Sequence, residues 1–196
     1  MYIAISKRKE HIAEYILYLW QLEVLLRALQ FSPEAVYSQL VEPRGIEPDR
    51  QQELLIWYMD IVNLLREEGK EQSGHLDHTL HIIEDLQNLH RQLMQLPVGE
   101  RYRTHFNRLS PELPRLREII DTTPKQANDD KEKKEVSDIE LCFRALYAAM
   151  LYRLKGEGKG QKAIDDVLDL VSPVVAELAD TYRKIEQGEL DMFKNE

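Results

Sequence analysis

The feature that most constrains this chain is the apolar spacing of residues 7–30. Ile12, Tyr15, Ile16, Leu19, Leu22, Leu26 and Leu29 recur at intervals of three and four, the period at which an α-helix returns to one face. Lys7, Glu10, Glu14 and Gln21 fall roughly opposite. Around Leu17 to Trp20 the segment is apolar on almost every side, which predicts a helix packed by several neighbours.

The same period runs through the rest of the chain. Ser32 ahead of Pro33 is a start signal for a short helix to about Val41. Leu54, Leu55, Tyr58, Ile61, Val62 and Leu65 mark a helix over about 49–67 that Gly69 ends. Leu76, Leu80, Ile83, Leu86, Leu93 and Met94 mark another over about 74–96. Residues 100–121 are helical but broken by Pro111 and Pro114, so two pieces or a kink are expected. Ser137-Asp-Ile-Glu140 matches a capping box and opens a helix carrying Ile139, Cys142, Phe143, Leu146, Tyr147, Met150 and Leu154, stopped by Gly156, Gly158 and Gly160. A last helix over about 162–187 turns Ile164, Val167, Leu168, Val171, Val175, Leu178, Tyr182 and Ile185 inward, with a bend expected at Pro173.

Residues 122–136 combine Thr-Thr-Pro with a run of Asn, Asp, Lys and Glu and read as a mobile linker. They do not force a second domain, because two helices after them could not bury both their faces alone. The sequence holds only 8 Gly and 8 Pro in 196 residues, and no alternation of strand period survives. The expectation is an all-α fold: a helical bundle of six to seven helices in a single domain.

Charge narrows the function classes. A net charge of −9 repels a polyanion at long range and argues against general nucleic-acid binding. Cys142 is the only cysteine, so no intrachain disulfide forms and a reducing, cytoplasmic setting is expected. The apolar run from Tyr15 to Trp20 is flanked by Glu14 and Glu23, too short for a signal peptide or a membrane span.

Three stretches carry a family resemblance: Lys7-Arg-Lys-Glu-His-Ile-Ala-Glu-Tyr-Ile-Leu-Tyr-Leu-Trp-Gln21; Gly74-His-Leu76 with Asp85-Leu-Gln-Asn-Leu-His90; and Asp138-Ile-Glu-Leu-Cys142 with Ala145-Leu-Tyr147 and Leu151-Tyr-Arg-Leu154. Together they resemble an uncharacterised family of bacterial helical proteins known only as a domain of unknown function. The resemblance spans nearly the whole chain and implies a fold class, with no catalytic residues. The chain departs from it at His11, where Asn is expected, and at Ala148, where Gly is expected.

The most tempting chemistry is the cluster His75, His78, His81, Glu84 and Asp85. His78, His81 and Asp85 share a helix face, and two imidazoles with a carboxylate make half a site for zinc or iron. The plainer reading is a solvated face that continues through Asn88 and Gln92. A di-iron bundle is excluded, because no His here has a Glu three residues before it. His90 falls on an apolar stripe and reads as a core histidine holding one hydrogen bond. Cys142 reads as a small buried hydrophobe, and the Tyr and Trp residues as packing.

Glu14 and Gln21 share a face and could line a ligand pocket between helices; if buried, they and Glu23 need partners. Glu23 and Arg27, four apart, could pair along the helix. Phosphate-loop, dinucleotide, zinc-protease and nucleophile-elbow motifs do not occur in the sequence. The reading is a non-enzymatic helical interaction or structural protein without a cofactor. Its partner is an unknown protein or a second copy of itself, as in a homodimer, with no nucleic acid and no membrane. The alternatives are a metal-dependent bundle enzyme at His78, His81 and Asp85, or a small-ligand bundle at Glu14 and Gln21.

Overall fold

The computed structural model describes residues 2–121, 136–155 and 161–192. Among them there is no strand, so the all-α expectation holds. The helices are α1 (Tyr2–Glu10), α2 (Ile12–Ala28), α3 (Pro33–Val36), α4 (Pro48–Glu67), α5 (Asp77–Leu93), α6 (Glu100–Leu109), α7 (Leu113–Asp121), α8 (Asp138–Lys155) and α9 (Gln161–Glu186). This exceeds six to seven because two long stretches are each divided.

One division was unexpected. The first helical stretch breaks at His11, whose backbone is extended (φ −155°, ψ 97°). Its N–H still bonds Lys7 and its carbonyl still accepts from Tyr15, so one residue closes α1 and opens α2. The His11 Nδ1 accepts the Glu14 N–H at 3.4 Å, the capping role that a short polar side chain plays at a helix start. The second division was expected: α6 and α7 are joined by a tight turn at Ser110–Glu112.

α2 is the shared wall of two cores. Ile12, Ala13, Ile16 and Trp20 join the larger core with α5, α6, α7, α8 and α9. Leu19, Leu22 and Leu26 join a smaller core with Val36, Val41, Leu76 and the buried face of α4. A helix apolar all round is thereby covered on both sides. α8 packs on α5, α7 and α2, while α9 packs on α6, α8, α2 and α5, so the last two helices bury their apolar faces against earlier ones.

The ends of elements are set by local chemistry. Ser32 Oγ accepts the Ala35 N–H. Past Val36 the chain continues through a wide helical turn, Tyr37–Val41, and a tight one, Glu42–Arg44. Gly69 ends α4 at φ +66°, a conformation that favours glycine. At Gly99 a Cβ would stand 1.8 Å from the Leu93 carbonyl oxygen, so no other residue fits. Only half of the expected capping box forms at α8: Ser137 Oγ accepts the Glu140 N–H, but the Glu140 carboxylate pairs with Arg144. The α8 start is held further by Gln87, which accepts the Ile139 N–H, and by Arg117, which ion-pairs with Asp138.

The expected linker, apart from Val136, and the glycine stop after α8 lie outside the described residues, as does the Ile164 side chain. No helix among the described residues is long and apolar enough to cross a membrane. Leu19 and Leu22 are each 4% exposed, so Leu19→Ala and Leu22→Ala should each cost about 2–5 kcal/mol through lost burial and an unfilled cavity. Thermal or urea melts check this. Unchanged midpoints would mean that this face of α2 is not core.

Candidate functional site

The densest polar chemistry lies where α2 meets the loop between α4 and α5. Glu23 is fully buried, and a carboxylate in that position must be paired. Its Oε2 lies 2.7 Å from His75 Nδ1, and its Oε1 accepts the Leu76 N–H at 3.0 Å. Trp20, one turn earlier, stacks on His75 with centroids 3.8 Å apart and planes 10° apart. The Trp20 Nε1–H donates to Thr79 Oγ1 at 3.1 Å, and the Thr79 hydroxyl donates to the Leu76 carbonyl. Tyr147 of α8 stands edge-on to both rings and donates to the Trp20 carbonyl.

The neighbouring charges continue the pattern. Arg27 donates to the Lys70 and Gly74 carbonyls and does not pair with Glu23 as the four-residue spacing suggested. Lys70 bridges Glu68 and Asp77, and Glu68 accepts the Asp77 N–H. The loop 68–76 is thus tied down mainly through its own backbone groups.

A carboxylate accepting at Nδ1 holds the proton there and leaves Nε2 as a lone-pair acceptor. His75 is 23% exposed, and its Nε2 has no partner among the described residues. The pair thus presents one ring nitrogen at the surface as a hydrogen-bonding group. Cys142 stays in the core, its thiol pushed up to about 12 mainly by burial, as expected of a packing residue.

The residues weighed as half a metal site, His78, His81 and Asp85, have different surroundings. His78 turns to α2, with Nε2 3.0 Å from the Tyr15 hydroxyl and the rings edge to face. Burial, with Arg8 and His81 nearby, holds its imidazole below the usual range. His81 and Asp85 are exposed. Among the described residues, no three His, Cys, Asp or Glu side chains stand together as a metal-binding group.

Glu14 is exposed and paired with Lys7. It lines a shallow, open depression with Ile3, Ser6, Lys7, Glu10 and His11, whereas Gln21 is half-buried and lines neither depression. Of the polar residues weighed on this helix, only Glu23 is buried, and its partner His75 was missed. His90 behaves as read: it is buried, with Nδ1 2.6 Å from the Tyr102 hydroxyl and its ring against Phe106.

The other depression is an apolar slot between α1, α2 and α4, about 110 Å³ in volume, walled by Ile3, Tyr18, Ile46, Leu54 and Tyr58. Arg44, Arg50 and Glu53 stand at its rim. Arg44 is held by two bonds, from Nε to the Leu40 carbonyl and from Nη2 to the Tyr58 hydroxyl. Burial pushes the Tyr18 hydroxyl up to about 12, with Tyr58 adding to the shift. Sequence periodicity marked Leu54 and Tyr58 but not the slot, because the wall is assembled from separate elements and Arg44 lies in the short turn Glu42–Arg44.

Over residues 1–189 the chain matches the family described as Domain of unknown function (DUF4924). The chain belongs to that family. No curated protein and no solved structure matches it. Membership agrees with the family resemblance of the sequence and assigns no activity.

Two outcomes follow from this geometry. Glu23→Leu strips the buried Leu76 N–H and His75 of their acceptor and should cost on the order of 3 kcal/mol, with a smaller loss for Glu23→Gln. Urea melts measure both, and a Glu23→Leu midpoint equal to wild type would remove the carboxylate as an anchor. The second concerns acid. Burial holds the folded His90 imidazole below its usual value, so below about pH 6.5 the unfolded chain takes up a proton that the folded chain refuses. Stability should therefore fall as pH drops from about 7.5 to about 5.5, and His90→Gln should flatten that fall. An identical pH slope in the variant would exclude His90 as a source.

Proposed function

We propose that this protein is a non-enzymatic binding module of the bacterial cytoplasm, and that its recognition surface is the apolar slot between α1, α2 and α4. The observation that carries the reading is a solvent-open apolar wall, Ile3 at 42% exposed among it, beside an exposed arginine already held in place by Leu40 and Tyr58. A held cation beside apolar surface is a recognition device, because the bound geometry costs little further ordering. The polar groups of α2 serve a different end: Glu23, Arg27 and Trp20 hold the fold together. The cytoplasmic setting is supported by the lone buried Cys142, and the bacterial origin by the family resemblance. Self-association through the same slot is one form the module can take.

The test is complementation in a host lacking the gene. The double variant Ile3→Asp, Arg44→Glu should keep the wild-type melting temperature and lose function, while His78→Ala, His81→Ala should retain function. Loss confined to the histidine variant, with stoichiometric metal in the purified wild type, would instead put the metal-dependent reading first.

A further inference from the structure

We infer that the slot between α1, α2 and α4 takes a small amphipathic monocarboxylate, its apolar body against Tyr18, Ile46, Leu54 and Tyr58 and its carboxylate on Arg44. This rests on the slot being the recognition surface proposed above, and it names the occupant.

Size comes first. A volume of about 110 Å³ is somewhat below the ~150 Å³ cavity that accepts benzene, so the slot suits an alkyl or small cyclic body of about five or six carbons. Its walls are almost wholly apolar: Leu54 and Tyr58 are buried, and Tyr18 and Ile46 half-buried. Covering them releases water from apolar surface, which favours any body of the right shape. Shape alone would not discriminate an acid from an alcohol.

Charge discriminates. Arg44 uses Nε on the Leu40 carbonyl and Nη2 on the Tyr58 hydroxyl. Among the described residues Nη1 donates to nothing, and Arg44 has no carboxylate partner. The guanidinium is exposed but anchored at two corners, so its remaining N–H groups lie at the slot rim without further ordering. A carboxylate accepts from them in a charge-assisted bond, stronger than the bond an alcohol makes. Arg50 and Glu53 stand at the same rim with opposite charges, so Arg44 leaves it one cation in excess, which one anionic group matches, while the −9 of the whole chain disfavours a second negative charge. The site therefore selects a single anionic group on an apolar body, over a phosphate dianion or an amine.

Full-length protein with methyl-labelled Ile and Leu is titrated by NMR with hexanoate, hexanol and hexylammonium. Hexanoate should shift the Ile3, Ile46 and Leu54 methyls and bind about tenfold tighter than hexanol, with hexylammonium weakest. Arg44→Gln should bring hexanoate down to the hexanol affinity while leaving hexanol unchanged. Ile46→Trp, which fills the slot, should abolish both. Hexanoate binding no tighter than hexanol, shifts confined to other methyls, or no shifts at all would overturn the assignment. If the titration fails while the Ile3→Asp, Arg44→Glu protein is folded and inactive in cells, the slot remains the recognition surface and its occupant is not a small acid. If that variant complements fully and hexanoate still binds, the ligand assignment stands and the functional reading falls.

Discussion

A carboxylate with no solvent exposure dictates much of this architecture. Left unpaired, Glu23 would cost more than most single contacts can return. It is satisfied only if the loop after α4 folds back onto α2, bringing the Leu76 N–H and the His75 ring to its two oxygens. Once the loop is there, Trp20 covers one face of His75 and Thr79 closes the start of α5. Arg27 then takes two carbonyls of the same loop. Direction matters as much as strength: these bonds require the loop at one place and one orientation on α2, which apolar contact alone would not specify.

That anchoring lets α2 separate two cores without loosening either. Leu76 enters the smaller core while the following turns of α5, through Ile82, Ile83 and Leu86, face the larger one. The Glu23–Leu76 bond sits at that changeover. Tyr147 ties α8 to the same point by donating to the Trp20 carbonyl. Helices far apart in sequence are thus referred to one short stretch of α2, from Trp20 to Arg27.

The helices were legible in sequence because their apolar stripes are long and their ends carry chemical marks, such as Ser32, Gly69 and Pro111. The break at His11 was not, since residues on both sides suit a helix and histidine is no breaker. A clue did exist: the family resemblance expects Asn there, and Asn is a favoured helix cap. Partner choice was legible least. Spacing offered Arg27 to Glu23, but spacing knows nothing of a loop 52 residues away whose backbone N–H is buried and needs an acceptor. The same holds for the slot, where Tyr18, Arg44 and Tyr58 meet only after three segments have packed.

The break at His11 also bears on the slot. It lets α1 leave the line of α2, and Ile3 then lines both depressions. Among the described side chains of α1, only Ala4 is buried. The helix is held otherwise by charge, through Arg8 on Glu186 of α9 and Lys7 on Glu14, and Glu186 is 41% exposed. The exposed Lys7–Glu14 pair contributes little, about 0–1 kcal/mol, which leaves the two-bond pair of Arg8 with Glu186 as the main charged tie of α1. The element that carries Ile3 is therefore among the least firmly docked, and local opening begins where apolar burial is smallest. An occupant that touches Ile3 on one side and Tyr58 on the other adds apolar contact where α1 has least of its own. By linkage, filling the slot then stabilises the docked α1 by the same free energy with which docked α1 improves binding.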